Sequence, residues 1–494
     1  MTSPRLRYRF GPLERRGILG PVRGGQAASI ATGALLAIAV LDRTPTATGA
    51  LLATLVFSAA CAVTVVPIGR RSAEEWAPVV AAFVARVVSG GRRFRSPVPA
   101  RGFRLRRGAA DDPDSTPPPA LRGVRITAAP YRERPIGILA ERSGRRLTAV
   151  LACRVSSFSL LDPDSQERRL ARWGLVLSGA SSTAIRRIGW IERTAPAQGD
   201  ELARWLHAEH DPAVPLRGTP MIESYLELIG TTARVTQEHE ILVAVQVDAR
   251  RVRERGADSV TRALVEETER VAQGLEAAEV TVLGALSPGQ LARALRTAFD
   301  PYARAELTTL ETADPGRDGL AEANAWPVGA VESWDHYRSD GALHATYWIG
   351  GWPRVDVSPM FMDALLGRSS VVRTVAVTFE PIPPERSTRD VEAAITRDRA
   401  DRDLRQRFGQ SETARQRQAE DATVRRESEL AAGHCEVRLA GFVTVSGRDG
   451  EDLRRASSEV LEHAARARLE LHRMYGQQAE AFAFTLPLCR GLKS

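Results

Sequence analysis

The stretch that decides the fold is residues 241–291, ILVAVQVDARRVRERGADSVTRALVEETERVAQGLEAAEVTVLGALSPGQL. Its first part, Ile241–Val247, is an almost unbroken apolar and β-branched run, which predicts a central strand. Asp258 can cap a long helix that follows, and Val280–Leu283 predicts a further strand. Ser287–Gln290 then forms a capping box at the start of another helix. Strand, helix, strand, helix is the pattern of a layered α/β domain.

The same alternation extends to both sides of this stretch. Upstream, Ile136–Ala140 and Leu147–Val155 flank a polar Ser143-Gly144 turn, which predicts a β-hairpin. Other segments have helical or strand-like periodicity. The predicted helices are Pro163–Leu177, one that begins at Pro220, Ser358–Leu366 and Asp449–Met474, and the predicted strands are His344–Gly350, Val371–Phe379, Cys435–Val445 and an apolar tail, Ala479–Leu486. We find no convincing short internal repeat.

Lysine is almost absent from the sequence. Basic residues number 68, but the only lysine is Lys493, so all the others are arginines. A P-loop needs a lysine to reach the β- and γ-phosphates of a nucleotide, and no glycine-rich loop precedes Lys493. The sequence therefore excludes a P-loop ATPase.

The net charge of +8 is unevenly distributed. Residues 1–107 hold 17 arginines and four acidic residues, which is +13, so the remainder holds 51 basic and 56 acidic residues, which is −5. Binding to DNA or RNA depends on dense basic side chains that face the phosphates. The acidic body therefore argues against direct nucleic-acid binding.

Two uncharged segments near the N-terminus predict a transmembrane helical hairpin. Gly24–Leu41 has 18 residues and Thr44–Gly69 is longer, while a spanning helix needs about 20 mainly apolar residues. A signal peptide would explain one short apolar run after a basic start, but the second run favours a hairpin. Small residues such as Gly33 and Ala62 line one face of each segment, where they allow close helix packing.

Arginines flank this predicted hairpin on both sides. Six precede the first segment and ten follow the second within residues 70–107, whereas the turn between them holds Arg43 alone. Positive charge stays on the cytoplasmic side of a membrane. We therefore expect a multi-pass inner-membrane protein with both termini in the cytoplasm.

The remaining segments complete the predicted domain organisation. Ser72–Ser89 has the periodicity of an amphipathic helix, and a proline-rich linker follows it. Ser387–Ala432 holds ten arginines and ten acidic residues, which predicts a solvated helix or helical hairpin rather than a partner-binding arm. The predicted domains are a basic N-terminus (1–23), the transmembrane hairpin (24–69), the amphipathic helix and linker (70–119), a first α/β lobe (120–325), and a second α/β lobe (326–494) with a charged helical excursion (387–432).

Few residues suggest chemistry. His207 and His210 form an H-x-x-H pair, but Asp211 and Pro212 follow at once, so a polar helix end explains them better than a metal site. No sequence motif of a hydrolase or a dinucleotide-binding fold is present. We predict no catalytic, cofactor-binding or metal-binding residues and no cofactor, and therefore a protein that is not an enzyme.

Tryptophans and cysteines have structural explanations. Four tryptophans surround one predicted strand and fit a hydrophobic cluster of a core or interface better than a ligand-stacking surface. The four cysteines are far apart and lack C-x-x-C spacing, which predicts buried packing thiols rather than disulfides or zinc ligands. These residues are Trp326, Trp334, Trp348, Trp352, Cys61, Cys153, Cys435 and Cys489.

Several short stretches resemble proteins of one kind. Gly11–Gly17, Arg23–Gln26 and Gly69–Trp76, around the apolar segments, look like actinobacterial membrane proteins of conjugative, type IV secretion-like clusters. The body, through Ser287–Arg296 and Gln477–Phe482, is similar in layout to the N-terminal domain of conjugal-transfer traffic ATPases. The resemblance implies a membrane subunit fused to that docking domain, with the motor domain absent.

These observations together predict an α+β protein. We expect an N-terminal two-helix transmembrane hairpin followed by a layered α/β cytoplasmic body with βαβ (ferredoxin-like) units. The expected function is that of an inner-membrane scaffold subunit of a conjugation or type IV secretion-like export apparatus. Its expected partners are a separate hexameric secretion ATPase, other membrane subunits of the export channel and the lipid bilayer, within an oligomeric complex. The alternatives are a type VII secretion membrane component and a membrane-tethered hydrolase.

Overall fold

The structure is a computed structural model of the chain. It describes residues 24–65, 67–68, 71–96, 102–106, 116–142, 144–155, 158–196, 220–221, 223–224, 237–254, 256, 258–314, 317–353, 355–367, 369, 371–407, 424, 426–431 and 435–492. The chain divides into a small unit, Gly11–Arg92, and a large unit that comprises Met1–Phe10 and Arg93–Ser494.

The small unit is mainly helical. Its elements are helices α1 (Gly24–Arg43), α2 (Ala47–Val65) and α3 (Ala73–Val88) and the short antiparallel strands β1 (Pro67–Ile68) and β2 (Arg71–Ser72). Helices α1 and α2 approach closely at Gly33, where a Cβ atom would lie 2.4 Å from the Cβ of Ala60. Small residues at this crossing therefore set the distance between the two helices.

The predicted transmembrane hairpin, and with it the predicted fold class and multi-pass inner-membrane location, is wrong. Helices α1 and α2 lie where the sequence predicts that hairpin, but no helix in the described part of the chain combines the length and apolarity that a bilayer crossing requires. Asp42 and Arg43 shorten the apolar part of α1, and α2 has 19 residues. The lipid bilayer as a partner stays a prediction.

The large unit is built on one sheet of 13 strands. The strands are β3 (Arg93–Arg95), β4 (Arg125–Ala129), β5 (Ile136–Glu141), β6 (Arg146–Arg154), β7 (Ile185–Pro196), β8 (Gln237–Asp248), β9 (Thr281–Ala285), β10 (Gly329–Glu332), β11 (Tyr337–Ser339), β12 (Ala342–Gly351), β13 (Val372–Pro381), β14 (Val437–Gly447) and β15 (Glu470–Arg473). Their order is β3-β10-β11-β12-β14-β13-β7-β8-β6-β5-β4, with β15 paired to β12 and β9 paired to β6. All of these pairs are antiparallel.

Helices cover both faces of this sheet. They are α4 (Pro163–Ala180), α5 (Ser259–Ala277), α6 (Pro288–Phe299), α7 (Arg304–Ala313), α8 (Asp363–Leu366), α9 (Pro384–Arg407), α10 (Gly450–Arg466) and α11 (Gln478–Ala483). Short 3-10 helices occur at Pro119–Leu121, Phe158–Leu160, Pro301–Ala303 and Glu322–Ala325. The largest core lies under α6 and α11 on one face, and α4, α5, α8 and α10 close three further cores.

The sheet consists of two halves with the same topology. The first half runs from β4 to α6 and the second from β10 to α11. In each half a hairpin precedes four strands in the order β9-β6-β8-β7 or β15-β12-β14-β13, which is the order of a ferredoxin-like βαββαβ unit. The halves meet where β7 pairs antiparallel with β13, and Ile191 lies opposite Ala376 at the middle of that pairing. The body therefore has a pseudo-twofold arrangement.

A short sequence match supports the equivalence of the halves. Residues 287–299 (SPGQLARALRTAF) and residues 474–486 (MYGQQAEAFAFTL) align without a gap and share the pattern G-Q-x-A-x-A. Next to these segments, the Leu286 amide donates to the Val150 carbonyl at 2.8 Å and the Met474 amide donates to the Thr346 carbonyl at 3.0 Å. In each half the chain at the start of the helix thus bonds to the first strand of the ferredoxin-like unit, through donors that differ by one position in the alignment.

Several predicted elements of the body are confirmed. Strands β5 and β6 form the predicted hairpin, and α6 begins with the predicted capping box, in which the Ser287 hydroxyl accepts from the Gln290 amide. The predicted lobe boundaries, 120–325 and 326–494, stay predictions, because one sheet runs through both lobes.

The C-terminal segment differs from the prediction. The helix expected to reach Met474 ends at Arg466, because Arg468 adopts a left-handed conformation with φ of 57° and the chain continues as β15. The tail expected to be a strand contains helix α11 instead. An apolar run of this length fits either a buried strand or a buried helix, so its periodicity alone could not decide.

Candidate interaction site

The sequence singles out one histidine pair for chemistry. His207 and His210 lie outside the described residues. His336 contacts its neighbour, with its Nδ1 2.8 Å from the Asp335 carboxylate. Over the described ranges, no group of three or more histidine, cysteine and acidic side chains could hold a metal ion.

His344 is the most deeply buried of the described histidines. Its Nε2 lies 3.0 Å from the Phe299 carbonyl, which can only accept, so the proton sits on Nε2. Its Nδ1 then accepts from the Ser446 hydroxyl at 2.8 Å. Burial lowers the pKa of His344 from 6.5 to about 4, although the hydrogen bond to Phe299 opposes the shift. His344 is therefore a neutral core residue at physiological pH.

The tryptophan cluster divides between different parts of the structure. Trp326 is buried in the core under α6 and α11, and Trp352 packs against the core under α8 and α10. Trp334 stacks on Tyr475 with 6.4 Å between ring centroids. The tryptophans do not form one ligand-stacking surface, and the described contacts agree with the predicted hydrophobic role.

Two of the cysteines are packing residues, as the sequence predicts. Cys153 and Cys489 are buried, and burial raises the pKa of each thiol to about 12. A thiol that stays protonated is a poor nucleophile and a poor metal ligand. Burial also raises the pKa of the half-buried Cys435, while Cys61 is half-buried in α2.

The charged excursion is only partly described. Helix α9 covers its first part, and Ser387 and Val391 at the start of that helix are buried. Residues 408–423 lie outside the described part of the chain. The predicted solvated character of the excursion therefore stays a prediction beyond Arg407.

A feature that the sequence did not reveal lies at one end of the sheet. Nine arginines lie where β5 and β6 turn, where β7 begins, just after β8 ends, and where the chain approaches its C-terminus. We call them the arginine cluster: Arg142, Arg145, Arg146, Arg186, Arg187, Arg250, Arg251, Arg253 and Arg490. Strand pairing brings them together, since Arg146 lies opposite Asp248 and Ile185 lies opposite Val247.

Asp248 is at the centre of the arginine cluster. Arg186 contacts this carboxylate at 2.8 Å, and Arg146 and Arg145 lie 3.5 and 3.7 Å from it. Burial alone would raise the pKa of Asp248, but the Arg250 amide and the Arg186 and Arg145 guanidinium groups outweigh that effect and lower the pKa below its ordinary value. One buried carboxylate therefore holds three guanidinium groups.

Two further carboxylates complete the described ion pairs of the cluster. Arg187 contacts Glu380 at 2.8 Å and also donates to the carbonyls of Cys489 and Leu492. Arg490 forms an ion pair with Glu141 and donates to the Ala120 carbonyl at 2.8 Å. These contacts fix the chain near its C-terminus to the end of the sheet.

The arginine cluster has more positive than negative charge. Five of the nine arginines form ion pairs with three carboxylates, Asp248, Glu380 and Glu141, and the nine arginines exceed these three carboxylates by six positive charges. Arg142, Arg250 and Arg253 are exposed. The buried Nε atoms of Arg145, Arg146 and Arg186 have no hydrogen-bond partner among the described residues. Burial lowers the pKa of Arg146, and the positive charges of Arg186 and Arg142 lower it further.

The fold and this surface define a class of protein. It is an antiparallel α+β protein of two ferredoxin-like halves with a cluster of arginines at one end of its sheet, and its described residues contain no metal-binding cluster. Residues 235–349 match the family model described as "Putative type VII ESX secretion system translocon, EccE". No curated protein matches the chain. The match covers less than a quarter of the chain and suggests a secretion-system component.

The matched residues lie at the middle of the body. They extend from β8 through α5, β9, α6 and α7 into β12, so they join the first half to the second. They also include Asp248 and three arginines of the cluster, Arg250, Arg251 and Arg253. The similarity to a translocon family thus falls on the segment that links the two halves along the chain and on part of the arginine cluster.

Proposed function

We propose that this protein is a structural subunit of a type VII, ESX-like secretion translocon and that it acts by binding other subunits. The observation that carries the proposal is the match of residues 235–349 to the EccE family of translocon components. That segment is embedded in the central sheet, where β8 pairs with both β6 and β7. A central strand is buried between neighbouring strands that pack on it. The match therefore concerns the sheet that forms the core of the body rather than a surface loop.

The type VII role has more support than the conjugation or type IV scaffold that the sequence resemblance implies. The matching family description names a type VII translocon and names no reaction. A separate ATPase fits this role as the source of energy, because the sequence has no P-loop lysine of its own. Other translocon subunits are the partners that we expect first.

The test is copurification from a native source. A tagged full-length chain is isolated under mild conditions, and its partners are identified by mass spectrometry at stoichiometric level. We expect subunits of a type VII system, including an ATPase with its own P-loop. A parallel purification of a tagged, unrelated protein of similar abundance serves as the control. Recovery of conjugation subunits alone, or of no secretion subunit, would contradict the proposal.

A genetic experiment adds a functional readout. Deletion of the gene is expected to abolish export of type VII substrates while general secretion of a signal-peptide reporter continues. Complementation with the full-length gene restores export. Normal type VII export in the deletion strain would contradict a structural role in that translocon.

A further inference from the structure

We propose that the arginine cluster is the docking site for an acidic segment of a partner protein, an inference that rests on the proposed role in a multisubunit complex. The cluster has nine arginines against three described carboxylate partners. Its excess charge contrasts with the net charge of −5 of residues 108–494. A protein that gathers positive charge at one place on an acidic body has a local binding surface for anionic groups.

The interior of the arginine cluster shows which anionic group fits. Its guanidinium groups already bind carboxylates, as Arg186 does with Asp248 and Arg187 does with Glu380, each at 2.8 Å. Guanidinium groups form charge-assisted hydrogen bonds with carboxylates in a fork-like geometry. Aspartate and glutamate side chains of a partner would add to this arrangement through the exposed Arg142, Arg250 and Arg253.

A protein segment fits better than a nucleic acid. A nucleic acid carries phosphates along its whole length and requires a long basic track, whereas the arginine cluster lies at one end of a body whose net charge is −5. Beyond about 8–10 Å, salt screens the attraction of exposed charges, so the cluster selects a short anionic segment. An acidic peptide stretch of a few residues meets that requirement.

The test uses two full-length variants with the same change in charge. The cluster variant carries R142Q, R250Q and R253Q, which remove exposed charges and leave the buried pairs of Asp248, Glu380 and Glu141 intact. The control variant carries R454Q, R455Q and R466Q on the exposed side of α10. Exposed pairs such as Arg455 with Asp452 contribute little to stability, so both variants should fold like the wild type.

The probe is a fluorescein-labelled peptide of ten glutamates, whose binding is measured by fluorescence anisotropy at low and at physiological salt. Competition with inorganic phosphate, a single-stranded oligonucleotide and phosphatidylglycerol vesicles compares the possible anionic ligands. We expect the cluster variant to bind the peptide at least tenfold more weakly than the wild type. The control variant should bind within twofold of the wild type.

Three results would overturn this proposal: no binding of the peptide to the wild type at low salt, equal weakening in both variants, or tighter binding of the oligonucleotide, phosphate or vesicles.

Copurification with the cluster variant separates this proposal from the proposed function. If the wild type and the cluster variant both recover the translocon subunits, the docking site is wrong while the translocon role stands. If the wild type recovers none, the translocon role fails while the peptide measurements still decide what the cluster binds.

Discussion

The two halves of the body share a strand order but fill their equivalent interior positions differently. In the first half, the positions next to α6 are apolar: Val150, Ala244 and Leu291. In the second half, the corresponding residues are Thr346, Thr444 and Gln478, and all three are buried. The same backbone arrangement therefore accepts either an apolar or a polar interior, provided that the polar groups find partners.

Hydrogen bonds connect the polar residues at these positions of the second half. Gln478 accepts from the Thr346 amide at 2.8 Å and donates to the Met474 carbonyl at 2.9 Å. The Thr346 and Thr444 hydroxyls lie 2.8 Å apart, and Thr485 lies 3.0 Å from Thr444. Such a network fixes the position of α11, which is a helix of only six residues, more specifically than apolar packing alone.

The strongest way to break this comparison is to exchange one residue between the halves. Leu291→Gln places an amide in the apolar core without partners, and we expect a loss of about 4 kcal/mol in the free energy of unfolding. Gln478→Leu leaves the Thr346 amide unpaired but fills the space, with an expected loss of about 2 kcal/mol. Chemical denaturation followed by near-ultraviolet circular dichroism measures both. A loss below 1 kcal/mol for Leu291→Gln would show that the first core is not tightly packed.

A second difference concerns acid sensitivity. His344 of β12 occupies the position of Thr148 in β6, since the strand partners Ser446 and Gln246 also correspond. The pKa of His344 in the folded state, about 4, lies below its ordinary value of 6.5, so the neutral ring favours folding. The contribution of His344 to the free energy of unfolding is complete above pH 6.5. It is lost as the pH falls towards 4, and the total loss is about 3 kcal/mol.

The variant His344→Gln isolates this effect. It should lose less stability than the wild type between pH 6.5 and 4, because glutamine does not titrate there. Denaturant unfolding at a series of pH values gives the dependence of the free energy of unfolding on pH for the wild type and for the variant. Parallel pH profiles for the wild type and the variant would mean that His344 does not carry the acid sensitivity of the second half.

Two buried arginines where β7 pairs with β13 are expected to differ in their contribution to stability, by less than the effects above. Arg193 of β7 pairs with Glu240 at 2.9 Å and donates to the Ala294 carbonyl. Among the described residues, Arg373 of β13 donates only to the Gly367 carbonyl, through one of its nitrogens. Burial lowers the pKa of both arginines. An ion without a close counter-ion contributes little to stability once its desolvation is counted.

Methionine substitutions test this difference at nearly constant volume. Arg193→Met should destabilise the fold by about 2 kcal/mol, because it leaves Glu240 without its nearest cation. Arg373→Met should leave stability unchanged or raise it by up to about 1 kcal/mol. Thermal and denaturant unfolding of both variants provide the comparison. Equal destabilisation would show that Arg373 has stabilising interactions beyond its contact with Gly367.

Local patterns predicted single elements of this fold, but not their arrangement. The hairpin of β5 and β6 and the capping box of α6 depend on residues close in sequence, so the sequence reveals them. The duplication depends on strand pairing, and its sequence trace is confined to a short G-Q-x-A-x-A pattern. The prediction of a transmembrane hairpin was wrong because it rested on the apolar composition of two segments. The helices that form there do not combine the length and the apolarity that a bilayer crossing requires.

The arginine cluster was beyond prediction for a different reason. Its members extend from Arg142 to Arg490, and the strong arginine bias of the sequence hides any local enrichment. The total charge of the body is negative, which points away from a positive surface. The pairing of β6, β7 and β8 brings the segments that carry most of these residues to one end of the sheet, and Arg490 joins them through its ion pair with Glu141.

The central claim is that one sheet joins two equivalent halves through β7 and β13, and a designed disulfide tests it most directly. The variant Ile191→Cys with Ala376→Cys places two thiols on directly opposed residues, within the separation that a disulfide needs. Ile191→Cys with Val377→Cys is the control, because neighbouring residues of a strand point to opposite faces. Both variants retain the four native cysteines.

We expect the first pair to form an intrachain disulfide under mild oxidation, detected by peptide mapping, and the second pair to stay reduced. Cross-linking of the second pair alone, or of neither pair, would contradict the joint.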